Sequence, residues 1–228
     1  MPGAAVSAPG CFGKLPCRGD FVRRGLAPDF VAPWDAWLQA GIALSREALG
    51  GAWLERYLQA PVWRFALAGG TAGELPALGV LLPSVDRVGR WFPFTLACPL
   101  PAGTHPLGVY RDAQGWLTRA EELALSVLAD GFDLDRFHEQ LEALGPPEGL
   151  TPDPAPADLG RGLRLPPLDA LALAARLAAC VPVGSLWWSE GGAGVAPCLL
   201  LFRDLPPPAS FRGLLDGAWT TAGLLDAA

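Results

Sequence analysis

The sequence predicts an α/β chain of the α+β kind, in which a mostly antiparallel central sheet is covered by helices. Three observations carry this. Strand-like apolar runs adjoin one another more often than they alternate with helical patterns, as at residues 78–99 and 185–202. Glycine and proline number 28 and 24, which favours short elements joined by shaped turns over long bundles. At 228 residues, with 51% hydrophobic and 18% charged side chains, the chain can bury a substantial core without cross-links.

Taken in order, residues 1–9 are expected to form a flexible tail, residues 10–217 one domain and residues 218–228 a second tail. Cys11 to Arg24 reads as a short strand, a shaped turn and a second extended piece. Pro33 suits a first helical turn, and Trp34, Trp37, Leu38, Ile42, Leu44 and Leu49 then recur at three- and four-residue spacing. Gly50-Gly51 stops that helix and a short one follows over Trp53 to Leu58. Val62 to Leu67 alternates as a strand does. Leu78 to Pro83 and Trp91 to Pro99 are apolar runs on either side of the polar Ser84 to Arg90, the pattern of a hairpin with a longer loop.

Thr118 and Glu121 match a capping box, so a helix is expected to start there; a further one spans Phe132 to Leu144, with Asp133 as its cap and Gly145-Pro146-Pro147 as its stop. Pro146 to Pro167 holds seven prolines and reads as a surface strap, and Leu168 to Ala179 as an Ala/Leu-rich helix. Ser185 to Ser189 and Pro197 to Phe202 form a second hairpin around Glu190 to Gly194, before a short helix at Phe211 to Leu215. No internal repeat is evident.

Composition also excludes. With 17 basic against 23 acidic residues the net charge is −6, which gives no general attraction to phosphate backbones, so nucleic acid is not an expected partner. Sixteen of the basic residues are Arg and only Lys14 is Lys, a bias that GC-rich coding explains. No basic start precedes an apolar run near Met1, so no signal peptide is expected. The charge-free stretch Trp91 to Tyr110 carries Pro93, Pro99, Pro101 and Pro106, which argues against membrane insertion. Cys11, Cys17, Cys98, Cys180 and Cys198 are odd in number and lack C-x-x-C spacing, in keeping with reduced thiols in a cytoplasm.

The search for chemistry returns little. His105 and His138 are the only histidines, and no zinc, EF-hand, nucleophile-elbow, phosphate-loop or dinucleotide signature occurs, so no catalytic residue, metal or cofactor is expected. What stands out is charge inside apolar, turn-rich segments: Lys14, Arg18, Asp20, Arg23 and Arg24 in one, Asp86, Arg87 and Arg90 in the other. Such groups either pin loops through Asp–Arg pairs and backbone N–H bonds or display a polar recognition surface. Arg87 and Arg90 share one nearby carboxylate, Asp86, so at least one guanidinium is left over for a partner. Trp187 and Trp188 are strand neighbours and face opposite ways; Trp188 is then either covered by a helix or an exposed binding anchor. Trp34, Trp37 and Trp53 read as core.

Gly10-x-Phe12-Gly13-Lys14-Leu15-Pro16-x-Arg18-Gly19-Asp20-Phe21-Val22-x-Arg24-Gly25-Leu26 resembles the opening signature of the TagF (also called ImpM) family. Phe30-Val31-x-Pro33-Trp34-Asp35-x-Trp37-Leu38, Ala60-Pro61-x-Trp63-Arg64-Phe65-Ala66-Leu67, and Gly79-Val80-Leu81-Leu82-Pro83-Ser84-Val85-Asp86-Arg87-Val88-Gly89-Arg90-x-Phe92-Pro93 continue the likeness. It runs to Ser185-Leu186-Trp187-Trp188 and Gly213-Leu214-Leu215, weakly through the Pro-rich middle; Cys11 and Cys17 depart from the expected aromatic and small polar residues.

The resemblance implies a fold similar to the longin-like domain of the signal-recognition-particle receptor. It also implies a non-enzymatic, cytoplasmic accessory protein of the bacterial type VI secretion system. Such a protein represses secretion post-translationally by binding a secretion component, beside a switch in which a kinase and a PP2C-type phosphatase act on a forkhead-associated (FHA) scaffold. An assembly or baseplate adaptor of the same system is the alternative. A phosphatase-like enzyme built on Asp20 and Asp86 with Arg18 and Arg90 is a third, although no spacing brings those residues together.

Overall fold

The computed structural model describes residues 8–150 and 183–219. Its strands are β1 (Gly10–Gly13), β2 (Val22–Arg24), β3 (Trp63–Leu67), β4 (Ala77–Leu82), β5 (Phe94–Pro99), β6 (Ser185–Ser189) and β7 (Cys198–Phe202). They form one sheet in the order β2-β1-β5-β4-β3-β6-β7, antiparallel at every step. Helices α1 (Pro28–Leu49), α2 (Trp53–Leu58), α3 (Pro106–Asp112), α4 (Gln114–Leu125), α5 (Leu134–Leu144) and α6 (Phe211–Asp216) cover both faces.

Alternation along the strands divides the core in two. Trp63, Phe65 and Leu67 of β3 join Leu81 and Trp187 on one face, under α1, α2 and α6; Ala66 joins Leu78, Val80, Phe94, Leu96 and Trp188 on the other, under α3, α4 and α5. Trp34 of α1 centres the first layer. Its ring stacks on Trp187 at 5.8 Å and lies 4.8 Å from Phe65, and its Nε1 donates to Thr95 Oγ1 at 2.9 Å. Gly41 lets α6 approach: a Cβ there would sit 2.6 Å from the Phe211 ring.

Several expectations shift. α1 begins at Pro28, not Pro33. Pro28 occupies the first turn, where a missing N–H costs nothing, and Pro33 is carried inside the helix. Residues 106–112 fold as α3, hidden by the flanking prolines; His105 Nδ1 accepts from Leu107 N at 3.3 Å and caps it. α4 starts at Gln114, so Thr118 is interior and its hydroxyl donates back to the Gln114 carbonyl at 3.0 Å rather than capping. β5 starts at Phe94, because Pro93 supplies no ladder N–H and Trp91 makes only a bridge to Val85.

Other expectations hold. The β4–β5 register runs from Ala77↔Pro99 to Leu82↔Phe94, the β6–β7 hairpin forms, and Asp133 caps α5 by accepting from Asp135 N and Arg136 N. The helix expected at residues 168–179, the strap beyond Leu150, Cys180, and residues 1–7 and 220–228 of the two tails lie outside the described residues.

Trp34→Ala removes a fully buried indole and its hydrogen bond together. We expect a loss of roughly 3–5 kcal/mol, read as a lower urea midpoint.

Candidate functional site

The two charged segments meet at one end of the sheet. Gly13 of β1 runs into the turn carrying Lys14 and Arg18, and β4 runs into the loop Ser84–Arg90. Asp86 is the joint. Its side chain is fully buried, and its carboxylate accepts from Lys14 Nζ at 2.8 Å, Arg90 Nε at 2.6 Å, Arg90 N at 2.9 Å and Val88 N at 3.0 Å. The loop closes on itself through Asp86 N to the Arg90 carbonyl, with Gly89 at φ +84° supplying the left-handed residue that the turn needs. Lys14, 6% exposed, spans from the first segment to the second.

Neighbouring bonds lock the arrangement from outside. Ser84 Oγ donates to the Lys14 carbonyl at 2.7 Å. Tyr57 Oη of α2 donates to the Ser84 carbonyl at 2.8 Å and accepts from Ser84 N at 3.0 Å. Arg87 N donates to the Arg18 carbonyl at 3.0 Å, and the Arg90 guanidinium donates to the Gly19 carbonyl. Burial by itself would raise the Asp86 pKa. The Lys14 ammonium, the Arg90 backbone N–H, the Arg90 guanidinium and the Val88 N–H more than offset that, and hold the carboxyl well below its ordinary value.

The candidates therefore separate into two kinds. Lys14, Asp86 and part of Arg90 are internal, although the Arg90 side chain is still 58% exposed. Arg18, Asp20 and Arg87 are exposed, and among the described residues their side chains make no ion pair. Arg18 and Asp20, separated in sequence only by Gly19, do not pair with each other. Trp188, weighed as an exposed anchor, is 5% exposed and lies under Tyr110 of α3, edge to face at 5.0 Å. It is core: of the two alternatives left open by the sequence, cover by a helix is the one realised, here by α3.

Sequence reasoning missed Phe21, 48% exposed and packed edge to face on Phe92 at 4.8 Å, and Val88, 65% exposed at the loop tip. Both stand in the quoted segments, but only exposure marks them. His138 of α5 lies near this end; burial first, and then Arg24, lower its pKa.

Chemically, the site offers charge for recognition. Asp86 is committed to internal donors, so a metal or substrate could reach it only by displacing Lys14 or Arg90. Among the described residues no group of three His, Cys, Asp or Glu could hold a metal ion, and no helix is long and apolar enough to cross a membrane. Cys11 and Cys98 are outside any disulfide, and burial pushes both thiols up to about 12, far from thiolate reactivity. Two apolar voids elsewhere, of about 20 and 80 Å³, are too small for a metabolite.

Comparison with known proteins gives a family and a solved structure of close shape. A family model described as the TagF N-terminal domain, type VI secretion system-associated, matches residues 10–144. The crystal structure of PA0076 from Pseudomonas aeruginosa PAO1 superposes with a TM-score of 0.83 at 39% identity, over 97% of this chain and all of that one. No curated protein matches.

Two measurements check the joint. Lys14→Met removes one of four donors to the buried Asp86 carboxylate, whereas Asp86→Leu leaves all four without their acceptor, so Lys14→Met should lower the urea midpoint at pH 7 less than Asp86→Leu does. Asp86 ionises at lower pH in the folded than in the unfolded state. Its contribution is complete above about pH 5 and is lost progressively as pH falls below the unfolded value near 3.8. Asp86→Asn should therefore flatten the fall in urea midpoint between about pH 5 and pH 2.

Proposed function

This chain belongs to the TagF family of type VI secretion system-associated proteins, and from that membership we propose that it is a cytoplasmic, non-enzymatic repressor acting post-translationally. It does so by binding a component of the secretion system, namely the FHA-domain scaffold protein, through the loop end formed by residues 14–24 and 84–90. Residues 10–217 act as one binding unit.

One observation supports this surface above any other. Asp86 is shared by Lys14 and Arg90, which leaves Arg87 exposed and without an ion pair among the described residues, beside the equally unpaired Arg18. A guanidinium with no internal task, held on a pinned backbone, is the kind of group that anchors a protein interface. Arg90, by contrast, holds the loop, so its loss confuses binding with folding. The adaptor reading shares the surface and differs in the sign of the effect on secretion.

The test compares Arg87→Glu with the unsubstituted chain for affinity toward the purified FHA scaffold and for melting temperature. We expect an unchanged melting temperature, and a loss of roughly 2–4 kcal/mol in binding if Arg87 is central to the contact. Unchanged affinity in a folded variant would remove this surface. Overproduction in the host should lower secretion; a rise would establish the adaptor instead.

A further inference from the structure

Beside the Asp86 joint lies an open polar recess of about 420 Å³, lined by Arg18, Gly19, Asp20, Phe21, Val22, Arg23 and Arg87. Three arginines face one carboxylate there, on a chain whose net charge is −6. We infer that this recess is a docking site for a short acidic segment of a protein partner, taking its carboxylates between Arg18, Arg23 and Arg87 while an apolar neighbour rests on Phe21 and Val88. The inference rests on the reading of this end as a partner surface and adds the chemistry of what it holds.

Four observations carry it. The guanidinium groups of Arg18 and Arg87 make no hydrogen bond or ion pair among the described residues, and that of Arg23 reaches only the Leu26 carbonyl, at 3.4 Å. Arg24, Arg64, Arg111 and Arg212 each meet a carboxylate instead. The recess arginines thus retain the planar donor sets that a carboxylate or phosphoryl group accepts side by side.

The backbone beneath them is also fixed before any partner arrives. Arg87 N is bonded to the Arg18 carbonyl and the Arg90 guanidinium to the Gly19 carbonyl, so little ordering remains to oppose binding. An apolar rim stands beside the charge: Phe21 is stacked on Phe12 at 5.6 Å, with Lys14 Nζ 5.2 Å from its ring centre, yet it is half exposed, and Val88 projects further.

Finally, the cationic stretch is short. Arg24, the next residue along β2, is taken up by Glu142 of α5, so the free guanidinium groups end there, which suits a few peptide residues rather than the long phosphate track of a nucleic acid.

Fluorescence anisotropy with the full chain tests the proposal with four labelled probes. These are a Glu/Asp-rich peptide holding one Leu, its Gln/Asn counterpart, a phosphothreonine peptide of otherwise neutral sequence, and a single-stranded oligonucleotide. We expect the acidic peptide to bind at least about tenfold more tightly than the amide peptide and more tightly than the phosphorylated one; tightest binding of the phosphothreonine peptide overturns the assignment of carboxylates. Arg18→Glu and Arg87→Glu should each remove that preference with an unchanged melting temperature, whereas Arg119→Glu, an exposed arginine of α4, should leave it intact.

Equal binding of acidic and amide peptides, tighter binding of the oligonucleotide, or an equal loss in Arg119→Glu overturns the inference. If peptide discrimination fails while capture of the FHA scaffold still depends on Arg87, the chemistry assigned to the recess falls alone. If discrimination holds and the scaffold is not bound, the identity of the partner falls and the recess stands.

Discussion

A carboxylate buried where two loops cross governs this end of the molecule. Removing Asp86 from water is unfavourable unless its oxygens are filled, and they are filled by groups from both loops at once. The turn after β1 and the connection between β4 and β5 consequently cannot move apart without exposing an unpaired charge. Tyr57 and Ser84 extend the constraint into α2, which packs through Trp53 and Tyr57 on the first core layer. What remains free on the surface is decided by this internal saturation: Lys14 and part of the donor capacity of Arg90 are spent inside, and the guanidinium groups of Arg18 and Arg87 are not.

The rest of the fold holds that end still. Indole N–H groups tie elements that are distant in sequence: Trp37 to the Pro206 carbonyl at 2.7 Å, Trp63 to the Leu214 carbonyl at 2.9 Å, Trp116 to the Gly145 carbonyl at 2.8 Å. Each bond satisfies an indole donor, and the second joins strand β3 to helix α6. Arg46 of α1 sits over both Trp53 and Trp91, at 4.7 and 5.4 Å, and so ties α1 to the strand entry next to the charged loop. A recognition surface made of loops gains its definition from such supports, because rigid backbone presents side chains without a further ordering cost.

Much of this was legible in the sequence, and the failures have physical causes. β4 and β5 read clearly because both faces of a central strand are buried, which makes the run continuously apolar, and the polar Ser84–Arg90 stood out against it. That Asp86 would accept backbone N–H groups followed from turn chemistry. That its main cation would be Lys14 did not, since the partners are 72 residues apart and sequence spacing carries no information at that range. Pro33 and Thr118 misled because each residue type has two sites in helices: Pro at the start or carried within, Thr as cap or bonded back one turn. Trp188 was open between covered and exposed, and only the unrecognised α3 decided it.

The strand order has its own consequence for synthesis. β3 pairs with β4 on one side, but its other neighbour is β6, through Arg64↔Trp188 and the residues around them. On the ribosome, roughly 120 residues separate the end of β3 from the start of β6. At about 5–20 residues per second, the open edge of β3 waits about 6–24 s for its partner. During that interval Trp34 and Phe65 lack the ring of Trp187 that completes their layer. A nascent chain in this state presents a bare strand beside an uncovered aromatic cluster, which makes the interval before β6 emerges the point at which chaperone capture or mispairing competes with native closure.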